Sequence, residues 1–319
     1  MNEFELIKNF CSHQTVHRTD VIIETGDDCA IVEVPVNQQL AITTDTLVAG
    51  VHFPLNTSAY DIGYKALAVN LSDLAAMGAT PAWITMALTL PEIQENWLTD
   101  FAHGFFALAT RSNVQLIGGD LTHGPLTITI QAQGFIPKGQ AITRSGAKVG
   151  DLIYVTHTLG DAGLALAVLQ NQIKIPTLYE EDILKRLNRP EPRLEVGEKL
   201  RQIANAAIDI SDGLTGDLNH ILKKSEVGAV IYVDELPLSE ALRTCLPEEK
   251  AILLALGAGD DYELCFTIPK EREKLLQDAM KDCPCAYSCI GEVIATPGLS
   301  LQFKDGRKYH GDIKGYQHF

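Results

Sequence analysis

The chain has 319 residues, 46% of them hydrophobic, and carries 41 acidic against 26 basic side chains for a net charge of −15. That length exceeds the usual single-domain size, so two domains of roughly 150 residues each are expected, with apolar content enough to build a core in both. So acidic a surface excludes nonspecific binding to nucleic acid or to an anionic membrane, and an anionic substrate must be held locally, through bound cations.

No stretch approaches the roughly 20 apolar residues of a membrane span, and the opening Met-Asn-Glu-Phe-Glu-Leu-Ile-Lys does not read as a signal peptide, so a cytoplasmic protein is expected. Seven cysteines at irregular positions, Cys29, Cys245 and Cys265 among them, fit reduced thiols better than a disulfide framework. The group Cys283-Pro284-Cys285 with Cys289 raises a zinc site, but it lacks a fourth ligand nearby.

In chain order, residues 39–46 read as a strand that delivers Thr43, Thr44 and Asp45 at its end. A helix follows from about Tyr60, with Ser58 as its cap, and stops at Gly78 ahead of Pro81. Residues 83–90 are strand-like, 96–112 helical, and 127–136 alternate as a half-buried strand. Between Pro137 and Gly150 the composition turns to Gly, Lys and Arg, which sets the expected division: a domain over 1–137, a linker over 138–150 and a second domain over 151–319. The second half restarts with a strand at 151–156, helices at 161–170 and 194–206, and a strand at 208–210 feeding a loop. A helix at 214–225 and strands at 228–234, 262–268 and 299–304 complete an α/β (α+β) pattern without low-complexity tracts or exact short repeats.

Short acidic signatures punctuate this frame: Gly26-Asp27-Asp28, Thr43-Thr44-Asp45, Asn70-Leu71-Ser72-Asp73, Gly118-Gly119-Asp120, Asp209-Ile210-Ser211-Asp212-Gly213 and Gly259-Asp260-Asp261. In each the carboxylate is accompanied by Gly, Ser, Thr or Asn rather than by Lys or Arg, the oxygen-rich setting that hard divalent cations take. Any one of them alone reads as an ordinary turn. Asp73 is different because it interrupts the apolar run Ala66–Met77, where an aspartate is a poor helix former and costly to desolvate unless a cation or several donors meet it. Asn70, three positions earlier, shares its helix face.

Many carboxylates around shared magnesium ions suit phosphoryl transfer. Two phosphorylated reactants repel by roughly 4 kcal/mol per unit-charge pair at 4 Å with an effective dielectric near 20, and magnesium removes that repulsion. The chain has neither a Gly-x-x-x-x-Gly-Lys-Ser/Thr loop nor a His-Arg-Asp signature, so use of ATP requires an architecture in which metals replace the phosphate-binding lysine. A noncatalytic calcium or magnesium binder would show contiguous ligand loops of the EF-hand kind, and none occurs.

The motifs at 26–30 (Gly-Asp-Asp-Cys-Ala), 43–53, 65–79, 118–122 (Gly-Gly-Asp-Leu-Thr), 144–147 (Arg-Ser-Gly-Ala), 209–214 (Asp-Ile-Ser-Asp-Gly-Leu) and the terminal Gly-Tyr-Gln-His-Phe together resemble the thiamine-monophosphate kinase family, in the right order over the whole chain. The resemblance implies a two-domain, PurM-like fold of the aminoimidazole-ribonucleotide synthetase superfamily. It also implies a homodimer through the N-terminal sheets, and γ-phosphoryl transfer from ATP to thiamine monophosphate with several Mg2+ ions in a cleft between the domains. Carried over motif by motif, Asp28, Thr43, Thr44, Asp45, Asp73, Asp120, Asp209 and Asp212 would bind magnesium. Gly119, Asp120, Arg144 and Ser211 would contact ATP, and His52, Asp260 and Tyr316 would line the thiamine side, with Asp45, Asp73, Asp120 and Arg144 nearest the chemistry. The family usually has Glu where this chain has Asp260, so the charge is kept and the reach shortened. A cyclo-ligase or a hydrogenase maturation factor of the same superfamily is the alternative, and His52, Tyr316 and the 43–53 motif match the thiamine enzyme better.

Overall fold

The computed structural model describes residues 9–311. The chain divides into two units, the first made of residues up to Leu74 together with Ala79–Gly139, the second of Ala75–Gly78 together with Gln140 onward. In the first, a short antiparallel pair, β1 (Val21–Ile23) and β2 (Ile31–Val32), precedes the strands β3 (Gln38–Val48), β4 (Thr80–Leu90), β5 (Gln115–His123) and β6 (Thr127–Pro137). These four form one sheet in the order β3, β6, β4, β5, antiparallel except for the β4–β5 pair, so β3 is an edge strand.

Helix α1 (Ala59–Ala76), as far as Leu74, and helix α2 (Glu95–Arg111) belong to the same unit. Helix α1 begins where the sequence places a cap, with Ser58 Oγ accepting from the Asp61 amide at 3.1 Å. It ends in a Schellman turn: the Gly78 amide donates to the Ala75 carbonyl at 2.9 Å and the Ala79 amide to the Leu74 carbonyl at 2.8 Å. Gly78 takes φ +67, a left-handed conformation that a side chain at this position would disfavour. Between those ends α1 is almost wholly buried, Leu67, Leu71 and Asn70 being fully enclosed.

The second unit holds β7 (Leu152–Thr156), β8 (Ala206–Asp209), β9 (Gly228–Tyr232), β10 (Leu264–Ile268), β11 (Tyr287–Ile294) and β12 (Gly298–Gln302) in one sheet, ordered β12, β9, β11, β7, β10, β8, with β12–β9 the parallel pair. Around it lie α3 (Asp161–Leu169), α4 (Thr177–Asn188), α5 (Leu194–Leu200), α6 (Leu214–Ser225), α7 (Glu240–Cys245), α8 (Glu248–Gly257) and α9 (Glu273–Met280). Strand alternation sorts the sheet into two cores. Ile153, Val155, Ile208 and Cys265 join Leu218, Ile221 and Leu256 on one face, and Tyr154, Ala207, Leu264 and Phe266 join Leu200, Leu276 and Met280 on the other. With both faces covered, β10 is buried along its whole length.

The helix expected over 194–206 stops at Leu200. Gln202 turns to φ +63, and the amides of Ile203 and Ala204 both fold back onto the Leu200 carbonyl, which frees residues 206–209 to enter the sheet as β8. The strand expected from 262 starts at Leu264, because Asp260 and Tyr262 adopt φ +69 and +50. The cysteines are free thiols, and among the described residues no group of three or more His, Cys, Asp or Glu is gathered closely enough to hold a metal, so the zinc reading of Cys283, Cys285 and Cys289 gains no support. No helix among the described residues is long and apolar enough to cross a membrane.

One buried ionic knot ties the second unit together. Glu263, 1% exposed, accepts from Arg193 Nε and Nη2, both at 2.6 Å, from Arg186 Nη2 at 2.8 Å and from Thr156 Oγ1 at 2.6 Å. Burial alone would raise its pKa, but the arginines and these hydrogen bonds outweigh it and hold the carboxyl below the ordinary glutamate value. Removing one partner of such a group strands the others' charge in the interior. Glu263→Ala should therefore lower the unfolding free energy by about 3–5 kcal/mol in a urea titration.

Candidate active site

In the first unit, strand geometry decides which side chains meet. Alternation along β3 turns Thr43 and Asp45 to one face and leaves Thr44 exposed on the other. Thr43 Oγ1 donates a short hydrogen bond to Asp73 Oδ2 on α1. The Asp45 amide donates to Asn70 Oδ1 at 3.1 Å, and Asn70 Nδ2 donates to the Ala66 carbonyl at 3.0 Å, so a fully buried amide pins strand to helix. Burial first, and then the negative charge of Asp73, push the Asp45 carboxyl up to about 6. Two carboxylates and a threonine hydroxyl form an oxygen-only donor set, and their mutual repulsion is what a hard divalent cation would relieve, so these residues fit magnesium. Thr44 does not share this group through its side chain.

Asp28 and Asp120 stand at the mouth of a second feature of the same unit. A cavity of about 530 Å³ is lined by Asp28, Gly119 and Asp120 at its polar side and by Leu88, Leu98 and Leu116 among its apolar walls, a size and character typical of a small-ligand site. Both carboxylates are solvent-exposed. Gly119 faces Met86 in the parallel β4–β5 pairing, and a Cβ there would lie 2.0 Å from the Met86 carbonyl oxygen, so only glycine lets β5 carry Asp120 to this rim.

His52 sits in a tight turn after β3. Its Nδ1 accepts from the Val48 amide at 2.9 Å and its own amide donates to the Val48 carbonyl at 3.0 Å, which leaves the ring proton of a neutral imidazole on Nε2. Lys65 of α1, only 2% exposed, donates from Nζ to the His52 carbonyl at 3.3 Å and so braces this turn from within.

The second unit gathers another set. Asp209 ends β8 and is buried, and Ser211 and Asp212 follow it in a half-buried loop. That loop is laced to the 259–263 segment: the Asp260 amide donates to the Ser211 carbonyl at 2.9 Å, the Tyr262 amide to the Ile210 carbonyl at 2.8 Å, and the Ile210 amide to the Glu263 carbonyl at 2.8 Å. Asp260 and Ser211 are therefore neighbours. The next residue is held differently. Asp261 is fully enclosed and accepts from the Gly160 and Ala162 amides at 2.7 and 3.4 Å, so it caps α3, and burial chiefly holds its carboxyl well above the ordinary value. Arg144 is exposed, on a loop whose Gly146 and Ala147 amides donate to Ser225 Oγ. Tyr316 lies outside the described residues.

Sequence reasoning missed Asp217. It is 3% exposed in the first turn of α6, and one of its oxygens accepts from both the Ser211 and the Asp212 amide at 3.0 Å. Burial pushes its carboxyl up to about 7 in spite of those two donors and of nearby Arg144. Its signal was an aspartate placed just past a Gly-ended loop, where a carboxylate near a helix N-terminus can fold back onto open amides.

Family models for AIR synthase related proteins match residues 26–136 with the N-terminal domain and residues 148–304 with the C-terminal domain. A thiamine-monophosphate kinase of Escherichia coli (strain K12) is 48% identical over 318 residues, 99% of this chain and 98% of that protein. One of Bacillus subtilis (strain 168) is 35% identical, with both chains fully covered. The crystal structure of thiamine-monophosphate kinase from Stenotrophomonas maltophilia K279a superposes with a TM-score of 0.88 at 44% identity, covering 97% of this chain and 98% of that one. AaThiL complexed with AMPPCP and TMP superposes with a TM-score of 0.79 at 32% identity over 99% and 97% of the two chains. A hydrogenase maturation protein of Escherichia coli, at 19% identity and a TM-score of 0.77, shares the fold alone.

The electrostatics of Asp45 set a pH dependence for the metal-free protein. An aspartate at 3.8 when unfolded and about 6 when folded binds its proton more tightly in the folded state. Its contribution to stability is therefore intact below about pH 4, falls as pH rises through about 6, and above that the full cost of about 2–3 kcal/mol applies. In EDTA, wild type should gain melting temperature between pH 7.5 and pH 5, and Asp45→Asn should shrink that gain.

Proposed function

The chain belongs to the thiamine-monophosphate kinase family, and on that premise we propose that it transfers the γ-phosphoryl group of ATP directly to the phosphate of thiamine monophosphate, giving thiamine diphosphate and ADP. Family membership supplies the substrate pair, and the relative complexed with an ATP analogue and TMP supports it. The observation in this chain that carries the phosphoryl-transfer reading is the meeting of Asp45 and Asp73 across β3 and α1, with Thr43 hydrogen-bonded to Asp73.

The acceptor is an already ionised phosphate oxygen. It attacks the γ-phosphorus as the bond to the β,γ-bridging oxygen breaks, so no general base is needed and catalysis rests on positioning and charge. Magnesium, when bound, would offset the charge between the two phosphate groups. Asp28, Thr43, Asp45, Asp73 and Asp120 of the first unit, with the Thr44 position beside them, and Asp209 and Asp212 of the second, would hold it. Gly119, Asp120, Arg144 and Ser211 would hold ATP, with the Arg144 guanidinium beside the transferring group, where positive charge counts most. His52 and Asp260 would face the thiamine side, Asp260 offsetting the thiazolium charge, and Tyr316 would stack on it. The same reading puts the enzyme in the cytoplasm.

A homodimer is part of the proposal. The edge strand β3 exposes Leu40 and Ile42 on the face opposite Asp45, an apolar surface suited to a second copy.

Phosphorus NMR of the protein with ATP, magnesium and thiamine monophosphate should show thiamine diphosphate forming, and ATP loss without it would move the assignment to the cyclo-ligase alternative. Asp73→Asn should cut turnover by about 100-fold or more at saturating magnesium while the circular dichroism spectrum stays unchanged. In light scattering the wild type should run at twice the chain mass and Ile42→Asp at once.

A further inference from the structure

The residues expected to contact ATP in the second unit, Ser211 and Arg144, lie 67 positions apart in sequence, yet one helix touches the loops of both. At the start of α6, Asp217 Oδ2 accepts from the Ser211 and Asp212 amides, each at 3.0 Å. At its end, Ser225 Oγ accepts from the Gly146 and Ala147 amides at 3.1 and 3.2 Å and donates to the Arg144 carbonyl at 3.4 Å. The helix itself is fixed by Leu214, Leu218, Ile221 and Leu222, all buried in the core against the sheet. Both clamps therefore hang from a rigid element, and both hold backbone rather than the functional side chains.

We propose that Asp217 and Ser225 are positioning residues of the nucleotide side of the site, and that α6 is the strut that sets the distance between Ser211 and Arg144. This rests on the kinase reading for what the loops bind, though not for how they are held. Asp217 is the stronger clamp, because one carboxyl oxygen serves two amides. Gly213, at the N-cap position of α6, has no side chain to do this work, so the loop depends on a residue within the helix.

The test uses the full-length protein and four variants: Asp217→Ala, Asp217→Asn, Ser225→Ala and Ser225→Thr. Asp217→Ala should raise KM for ATP by about ten-fold or more and leave KM for thiamine monophosphate within about two-fold, a split that general destabilisation does not produce. Asp217→Asn, which keeps an accepting oxygen, should recover most of that loss. Ser225→Ala should shift KM for ATP in the same direction by a smaller factor, and Ser225→Thr should restore it. Amide hydrogen exchange without substrate gives the independent arm: Asp217→Ala should accelerate exchange in the 209–213 segment, and Ser225→Ala in the 144–147 segment, each without affecting the other. Unchanged KM for ATP in Asp217→Ala would overturn the proposal. So would losses equal for both substrates that track melting temperature. If the wild type forms no thiamine diphosphate, the kinase reading fails by itself, and the exchange arm still decides whether α6 holds the two loops.

Discussion

Two carboxylates on adjacent elements repel, and in the first unit the interaction that holds them in place is made by a side chain with no charge. Asn70 is sealed inside α1, where its amide reaches one turn back to Ala66 and outward to the Asp45 amide. Buried amides must be satisfied, and leaving either end open would cost more than the bond itself returns. That asymmetry makes Asn70 a latch: it fixes β3 against α1, and so fixes Asp45 and Thr43 relative to Asp73. The raised pKa of Asp45 is the electrostatic cost of this geometry, and the packing of α1 around Leu67 and Leu71 sustains it.

The second unit reaches a similar end by a different means. Its acidic loop is held through the backbone, from Asp217 on one side and from the 259–263 segment on the other. That segment takes positive φ at Asp260 and Tyr262, a conformation costing on the order of 1–3 kcal/mol per residue, and its anchors are substantial. Asp261 caps α3 and Glu263 closes the knot with Arg186 and Arg193. Along one short acidic run Asp260 takes a left-handed loop conformation, Asp261 caps a helix and Glu263 joins the core.

Much of this was legible in the sequence, for reasons that differ by element. The ends of α1 carry their own chemistry in Ser58 and Gly78, and the 214–225 helix follows from its apolar spacing after Gly213. Asp73 stood out because its neighbours are apolar, whatever its ligand. By contrast, the helices at 177–188 and 248–257 were passed over although Pro176 and Pro247 stand directly before them, because their polar faces dilute the pattern. Strand β5 was hidden by its own motif: Gly118-Gly119 reads as a turn until the parallel partner β4 shows why a side chain is excluded. Thr44 looked like an equal member of its motif, and only the period of two along β3 separates it from Thr43 and Asp45. Asp217 and Asp261 could not be told from ligands by composition, since whether a carboxylate meets a backbone amide or a cation is a question of tertiary position.

The two ways of holding acidic groups bear on how a chain with net charge −15 keeps each set in place. Clusters held by arginine or lysine would be neutralised before any cation arrived, and the affinity for metal would be lost to internal ion pairs. In the second unit Glu263 is paired with its arginines in the core, whereas the Asp45–Asp73 pair is organised by an amide and a hydroxyl and the Ser211–Asp212 loop is held through its backbone amides. In the first unit this neutral scaffolding leaves the charges of Asp45 and Asp73 uncompensated by the groups that hold them. The stability it costs is supplied where the molecule can spare it, in the apolar faces of α1 and the doubly covered sheet around β10.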